Sequence, residues 1–446
     1  MRALVAGLAA GLAVAWSLGL LLPVSPWKLS REFSDSSNTP PKPSGGVESE
    51  SGVTTLLEDS QDSTVPEAVG YNNAGVAFAR RRQWPQSAEH LRHALRLDPG
   101  NDSMRRNLQQ VLLAWGVDEF HAGRLAAAAE LLREASELQA DPEVEYWLGQ
   151  AWLHQGEAAR AQAIWEKALL QFSDHPRLLL ALAELSEQRD DRPRALDYLT
   201  RARAAGLDSP ELRQKIERLS REVDAEWEYV TTRSARFDFR HPAFDDAAVL
   251  DLVISGFEDA YDSLLRRLGA GPAAPVRVVL YPSSDFYAVT RSPDWAGGVY
   301  TGRIQLPIGG LRDSDRGHLE RVARHELAHA LVTEWSRNRA PAWLQEGLAM
   351  WCEDDHPGER WHWAEGLQTE QEGVSLHTLP QSFSALEKHA AEVAYAASYL
   401  AVVSLSEQYG MHRVLGFVRA TAEQPWRDAF SAAFGQSFDD FAASLR

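Results

Sequence analysis

Apolar and polar positions divide the chain into stretches of different texture. After Met1 and Arg2, no charged residue occurs from Ala3 to Trp27. From about 29 to 66, Ser, Pro, Gly, Asp and Glu dominate and apolar residues are few. Such a stretch cannot bury enough surface to order itself, which predicts a flexible tether. From about 67 to 222, small and large residues recur in register. Gly75, Gly116, Gly149 and Ala183 lie 41, 33 and 34 residues apart. Ser87, Ala128, Ala161 and Ala195 repeat those intervals, as do Leu91, Leu132, Trp165 and Leu199, and then Ala94, Ala135, Ala168 and Ala202. The longer first interval predicts an insertion of about seven residues near Asn101–Gln110. A charged helix, about Ser209 to Ala225, follows.

Beyond 226 the period changes. Arg236–Arg240 alternates charged with aromatic residues and predicts a strand. Asp246 to Leu268 has helical periodicity. Pro275–Tyr281 predicts a second strand, apolar enough to be central. Val322, Leu327, Ala328, Leu331 and Val332 recur at helical spacing, and Pro341 should end the connection that follows and open the next helix. Met411 to Arg446 reads as helical. The fold class is therefore mostly α, with an N-terminal membrane segment (1–28), a linker (29–66), a helical repeat array (67–222) and an α+β domain (226–446).

The repeat resembles the tetratricopeptide repeat, two antiparallel helices in about 34 residues. That resemblance implies a curved α-solenoid whose neighbours bury one another, with a concave groove that can dock a peptide or a partner protein. A rigid spacer or platform is the alternative.

Composition narrows the function. Lys and Arg number 45 and Asp and Glu 63 among 446 residues, so the net charge is 45 − 63 = −18. Phosphate binding needs a basic surface, so nucleic acid is not the expected partner. Cys352 is the single cysteine, which excludes an intramolecular disulfide and a cysteine-based zinc site. It reads as a small core residue. The uncharged run Ala3–Trp27, 25 residues, is long enough to cross a hydrocarbon core of about 30 Å. It reads as an uncleaved signal anchor. Ala13-Val14-Ala15 falls too early in the run for a good cleavage site, yet a cleaved signal peptide is the alternative, and both export the rest of the chain.

Candidate chemistry sits between Leu319 and Cys352. His325, Glu326 and His329 form His-Glu-x-x-His. In a helix, positions i and i+4 share one face, so both imidazoles can bind one metal ion. Glu326, beside the first, can hold a water rather than the metal. Glu346, seventeen positions after His329, offers a carboxylate from the next helix. Two imidazoles and a carboxylate with one open position make a catalytic rather than a structural zinc site. Two unrelated histidines on a solvated helix are the plain alternative. The arrangement with Gly and a third His after the second His is absent, since Val332 and Trp335 stand there.

Residues from about 226 to 446 resemble the gluzincin zinc metallopeptidases, in particular the peptidase MA-like domains of bacteria. His325-Glu326-x-x-His329 and Pro341-x-Trp343-Leu344-x-Glu346-Gly347-x-Ala349 carry the resemblance. Gly297–Pro307 is similar to the family's edge strand before the zinc helix, and Ala394–Leu400 to its Tyr-bearing helix after the site. The resemblance implies Zn2+ held by His325, His329 and Glu346, with Glu326 as general base. It favours a tyrosine as oxyanion donor. Tyr395 and Tyr399 lie four apart on one helix face, and Tyr395 is the choice, with core packing of both as the alternative. An exposed edge strand can pair with an extended peptide substrate, and Gly297 and Gly298 would allow close approach; an ordinary hairpin is the alternative. The Gly-x-Met-Glu-Asn motif of aminopeptidases is absent, which favours an endopeptidase. Asp354 or Asp355 is expected to orient a ligand imidazole, whereas His356 and Trp361-His362-Trp363 read as packing and loop residues. The expected setting is a bacterial inner membrane, single-pass, with the bulk of the chain in the periplasm. The competing reading is a membrane-tethered scaffold that uses its repeats for protein–protein interaction and carries an idle or self-inhibited peptidase fold.

Overall fold

A computed structural model describes residues 57, 63–243, 247–292, 297–309, 311, 315–353, 357–370, 376–380, 382–383 and 386–445. The expected membrane segment (1–28) and most of the expected tether (29–66) lie outside these residues. Among the described residues no helix is long and apolar enough to cross a membrane. The described chain divides into two compact units between Leu219 and Ser220.

The first unit is a series of helical hairpins. Its helices are α1 (Pro66–Ala79), α2 (Trp84–Leu97), α3 (Asp102–His121), α4 (Leu125–Leu138), α5 (Pro142–His154), α6 (Ala158–Gln171), α7 (Pro176–Gln188) and α8 (Arg192–Ala204), followed by α9 (Pro210–Ala225). Proline opens α1, α2, α5, α7 and α8 in the first turn, where its missing N–H costs nothing. The repeating small residues mark where each pair of helices touches. A Cβ on Gly75 would lie 2.6 Å from Leu91, one on Gly116 2.7 Å from Leu132, and one on Gly149 2.0 Å from the Trp165 ring. The small residue at each position therefore accepts the large one that follows sixteen residues later. The predicted insertion is two extra turns of helix: α3 has 20 residues where its counterparts have 13 or 14. Its first turns are held by Asn101, whose side chain caps Met104 N, and by Asn107, which donates to Asn72 Oδ1 across the buried face.

The second unit is built on a five-stranded mixed sheet of order β1-β2-β3-β5-β4. The strands are β1 (Val230–Arg233), β2 (Phe237–His241), β3 (Val276–Tyr281), β4 (Val299–Tyr300) and β5 (Ile304–Pro307). β3 is central, as its sequence predicts: β2 and β5 flank it in parallel. Val276, Val278 and Leu280 face a core made with α10 (Ala247–Leu268) and α12 (Arg316–Ser336), while Val279 and Tyr281 point into a second core on the other face. The remaining helices are α11 (Ser283–Thr290), α13 (Ala342–Glu353), α14 (Pro357–Glu370), α15 (Lys388–Tyr409), α16 (Met411–Ala420), α17 (Trp426–Phe434) and α18 (Phe438–Ser444). The last three pack Phe417, Phe430, Phe434 and Phe438 with Trp343 into a third core.

Two sequence expectations need correction. Gly297–Pro307 takes the alternative form, a hairpin rather than one edge strand: two-residue β4 forms the sheet edge and β5 lies inside, between β3 and β4. Gly302, with φ +86°, makes the turn, and Ile304 and Leu306 are apolar enough to be buried. Trp361-His362-Trp363 lies within α14 rather than in a loop, with Trp363 packed against the Tyr395 core.

The repeat contacts make a paired stability prediction. Gly149→Ala must displace the buried Trp165 ring, whose Nε1 donates to Tyr146 O. It should destabilise the first unit by about 1–3 kcal/mol. Gly70→Ala meets nothing within 4 Å in α1 and should be neutral or stabilising by up to about 1 kcal/mol. Urea unfolding of the two variants checks this, and equal effects at both positions would refute the packing account.

Candidate metal centre

The centre is made by a helix, a reversal and a second helix. α12 carries His325 and His329 on one face, 2% and 0% exposed, with their Nε2 atoms 3.1 Å apart. It ends where Arg337 and Asn338 both take left-handed φ, 49° and 59°, and Asn338 N returns to Thr333 O. Pro341 then accepts the first N–H bonds of α13 from Leu344 and Gln345. Trp343 fixes that first turn between the rings of Phe417 and Phe438. One turn along α13, Glu346 Oε2 lies 3.7 Å from His325 Nε2 and 3.5 Å from His329 Nε2. Gly347 lets α15 cross here: a Cβ on it would lie 2.3 Å from Ser398 O.

These three donors suit a tetrahedral cation. Around an ion with bonds of about 2.0–2.1 Å, donors sit roughly 3.3–3.4 Å apart, and the observed separations of 3.1, 3.5 and 3.7 Å bracket that value. His325, His329 and Glu346 form the one group among the described residues able to hold a metal ion. Glu346 Oε2 is buried without a hydrogen-bond partner, as is Glu326 Oε2.

Electrostatics say the same. Burial pushes the Glu346 carboxyl up to about 8; His325 opposes the shift and Glu353 adds to it. Glu326 is raised well above the carboxylate range by burial, then by Glu346 and Glu353. Burial lowers His329 to about 3 against the pull of Glu353. The His329 imidazole, held neutral, is a donor ready for a metal, and a dication beside these groups would reverse the carboxylate shifts.

Glu353 escaped the sequence reading. Asp354 and Asp355, the residues expected to orient a ligand, and His356 lie outside the described residues. Glu353 itself is fully buried, with Oε1 3.6 Å from His325 Nδ1 and 3.0 Å from Arg360 Nη1 of α14. Burial would raise its pKa, but Arg360 and His325 outweigh burial and lower it. It is thus an ionised group placed to fix the ring of His325. Its signal was spacing: Glu353 follows Glu346 by seven residues, two turns on the same face.

Two further elements border the site. Tyr395 of α15 is 1% exposed, its ring lies against Phe383 and its hydroxyl has no hydrogen-bond partner. Burial raises its pKa strongly, and Glu346 and then Glu326 add to the shift. Tyr399, one turn on, is equally buried in the same apolar cluster. Gly298, just before β4, meets the base candidate directly: a Cβ there would lie 2.8 Å from Glu326 Oε1. His362 is exposed beside Glu365 and is not part of the cluster. Cys352, next to Glu353, is fully buried, and burial pushes its thiol up to about 12.

A pH dependence follows. In the cation-free fold Glu346 keeps its proton to about pH 8, against 4.5 ordinarily. The folded state then binds more protons than the unfolded chain across that window, so stability falls as pH rises through it. His329 acts oppositely below: its pKa of about 3 against 6.5 removes stability as pH falls from 6.5 to 3. Chelator-treated protein should melt at lower temperature at pH 8 than at pH 6.5, and Glu326→Gln combined with Glu346→Gln should flatten that limb. An unchanged slope in the double variant would place its origin elsewhere.

No curated protein matches the sequence. Residues 257–444, which include every member of the site, match the family model for the Peptidase MA superfamily (Peptidase_MA_2), so this segment is similar to the peptidases of that superfamily.

Proposed function

We propose that the second unit is a zinc-dependent peptidase, in kind an endopeptidase, with His325, His329 and Glu346 as the metal ligands. The observation that carries this reading is the buried convergence of three donors at 3.1–3.7 Å beside an unpartnered Glu326 carboxylate. His325, His329 and Glu346 would hold the zinc ion, which would supply Lewis acidity for a carbonyl and lower the pKa of water to about 7. Glu326 takes the proton of the attacking water and returns it to the amine nitrogen as the C–N bond breaks. Tyr395 donates its unpartnered hydroxyl to the oxyanion that develops on the substrate carbonyl. Glu353 keeps the ring of His325 aimed at the metal. An extended peptide lies along β4, whose outer side has no strand partner among the described residues.

The helical repeats, read as tetratricopeptide-like, present a substrate or partner protein, and the segment from Ala3 to Trp27 anchors the chain in a bacterial inner membrane with both units in the periplasm. Unpartnered groups at both Glu326 and Tyr395 favour a working enzyme over an idle scaffold, because buried polar atoms without partners are retained where a reacting molecule satisfies them.

Purified protein should carry zinc near one equivalent and hydrolyse peptides until a chelator is added. Glu326→Gln should keep zinc and fold while losing roughly 10²–10⁴-fold in kcat. Folded protein that takes up no zinc overturns the reading. Tyr395→Phe should lower kcat by about tenfold to a hundredfold with little change in KM, and an unaltered kcat would remove Tyr395 from the mechanism.

A further inference from the structure

A buried ionic cluster lies in the sheet, apart from the metal donors. Arg303, 0% exposed, sits in the turn of the β4–β5 hairpin. Its guanidinium donates from Nη1 to Glu226 Oε2 at 2.9 Å and from Nη2 to Glu226 Oε1 at 2.5 Å, and Nη2 lies 3.0 Å from Glu222 Oε2. Glu226 also meets Arg240 Nε of β2 at 3.2 Å and accepts the Tyr281 hydroxyl of β3. Gln305 of β5 donates to that hydroxyl at 3.2 Å. One carboxylate thus ties β2, β3 and the hairpin turn together, the Tyr281 hydroxyl brings in Gln305 of β5, and two acids balance two guanidinium groups.

Such a cluster is an inefficient way to gain stability, since apolar side chains of like volume do as well or better. What it fixes is position, because a bidentate guanidinium–carboxylate pair tolerates little displacement. The element so fixed is the hairpin, which rests Gly298 against Glu326 and ends the sheet at β4. Glu222, Glu226 and Arg240 all precede the segment that matches the peptidase family, 257–444.

We propose that Arg303, gripped by Glu226 and Glu222, is a positioning residue that sets where β4 offers its edge to an extended peptide relative to Glu326. The proposal rests on the peptidase reading for its substrate and on geometry alone for the clamp. Loss of the grip lets the hairpin drift, so long peptides that run along β4 suffer more than short ones that do not reach it.

The test uses the full chain with Arg303→Met combined with Glu226→Gln, and the milder Tyr281→Phe, in which a single hydroxyl is lost and both ion pairs of Arg303 remain. Hydrogen exchange is read at the amides of Val299 to Arg303 and along α12. Hydrolysis is compared for a blocked dipeptide and for a peptide of about eight residues, long enough to follow the strand. The clamp predicts faster exchange confined to the hairpin, and a fall of about tenfold in the ratio of long-peptide to dipeptide kcat/KM, carried mainly by KM, the equivalent of one or two main-chain hydrogen bonds. Zinc content should hold. Hairpin exchange equal to wild type, or an equal loss for both peptides, overturns it. If wild-type protein cleaves neither peptide, the peptidase reading fails, and the exchange measurement still decides whether Arg303 holds the hairpin.

Discussion

Two imidazoles and three carboxylates share one interior region, none of them more than 2% exposed. Ionised acids in such a place repel one another and lack water, so each must be protonated, paired or bound to a cation. Glu353 is paired, through Arg360. Glu326 and Glu346 are not, and their raised proton affinities register that deficit. The surrounding structure can be understood as the means of holding this unfavourable arrangement in place.

The holding elements are close crossings of backbone. α12 and α13 are joined by a short reversal that two left-handed residues and a proline define. α15 passes over α13 at Gly347, where backbone of one helix meets the empty side-chain position of the other. The hairpin closes the remaining side at Gly298. Packed interiors of this kind do not deform gradually, so side chains on three helices and a strand edge keep a common centre although they come from distant parts of the sequence.

Much of this was legible beforehand, for identifiable reasons. Helical spacing alone sets His325 and His329 on one face of α12, whereas Glu346 joins them only through the reversal between α12 and α13. The repeat register emerged because each Gly or Ala answers a Leu or Trp in the next helix. β3 was recognisable from a run of apolar residues that only a strand covered on both faces would carry. What stayed hidden depends on tertiary context. β1 has a polar, mostly exposed sequence, Val-Thr-Thr-Arg, and no apolar alternation to announce it. Edge strand and hairpin both stayed open for Gly297–Pro307, because the choice hinges on one glycine, Gly302, at positive φ. Glu353 was passed over in favour of the two aspartates beside it, since only the turn count of α13 distinguishes a residue facing His325 from its neighbours.

Cys352 acquires a meaning from its place one residue before Glu353. A thiolate is a softer and stronger zinc donor than any carboxylate, and it is also the form that oxidants attack. With burial pushing its pKa up to about 12 and its sulfur sealed in the apolar core, this thiol stays protonated and shielded from solvent. A cysteine can therefore lie one residue from Glu353 without acting as a competing donor or as an oxidation site.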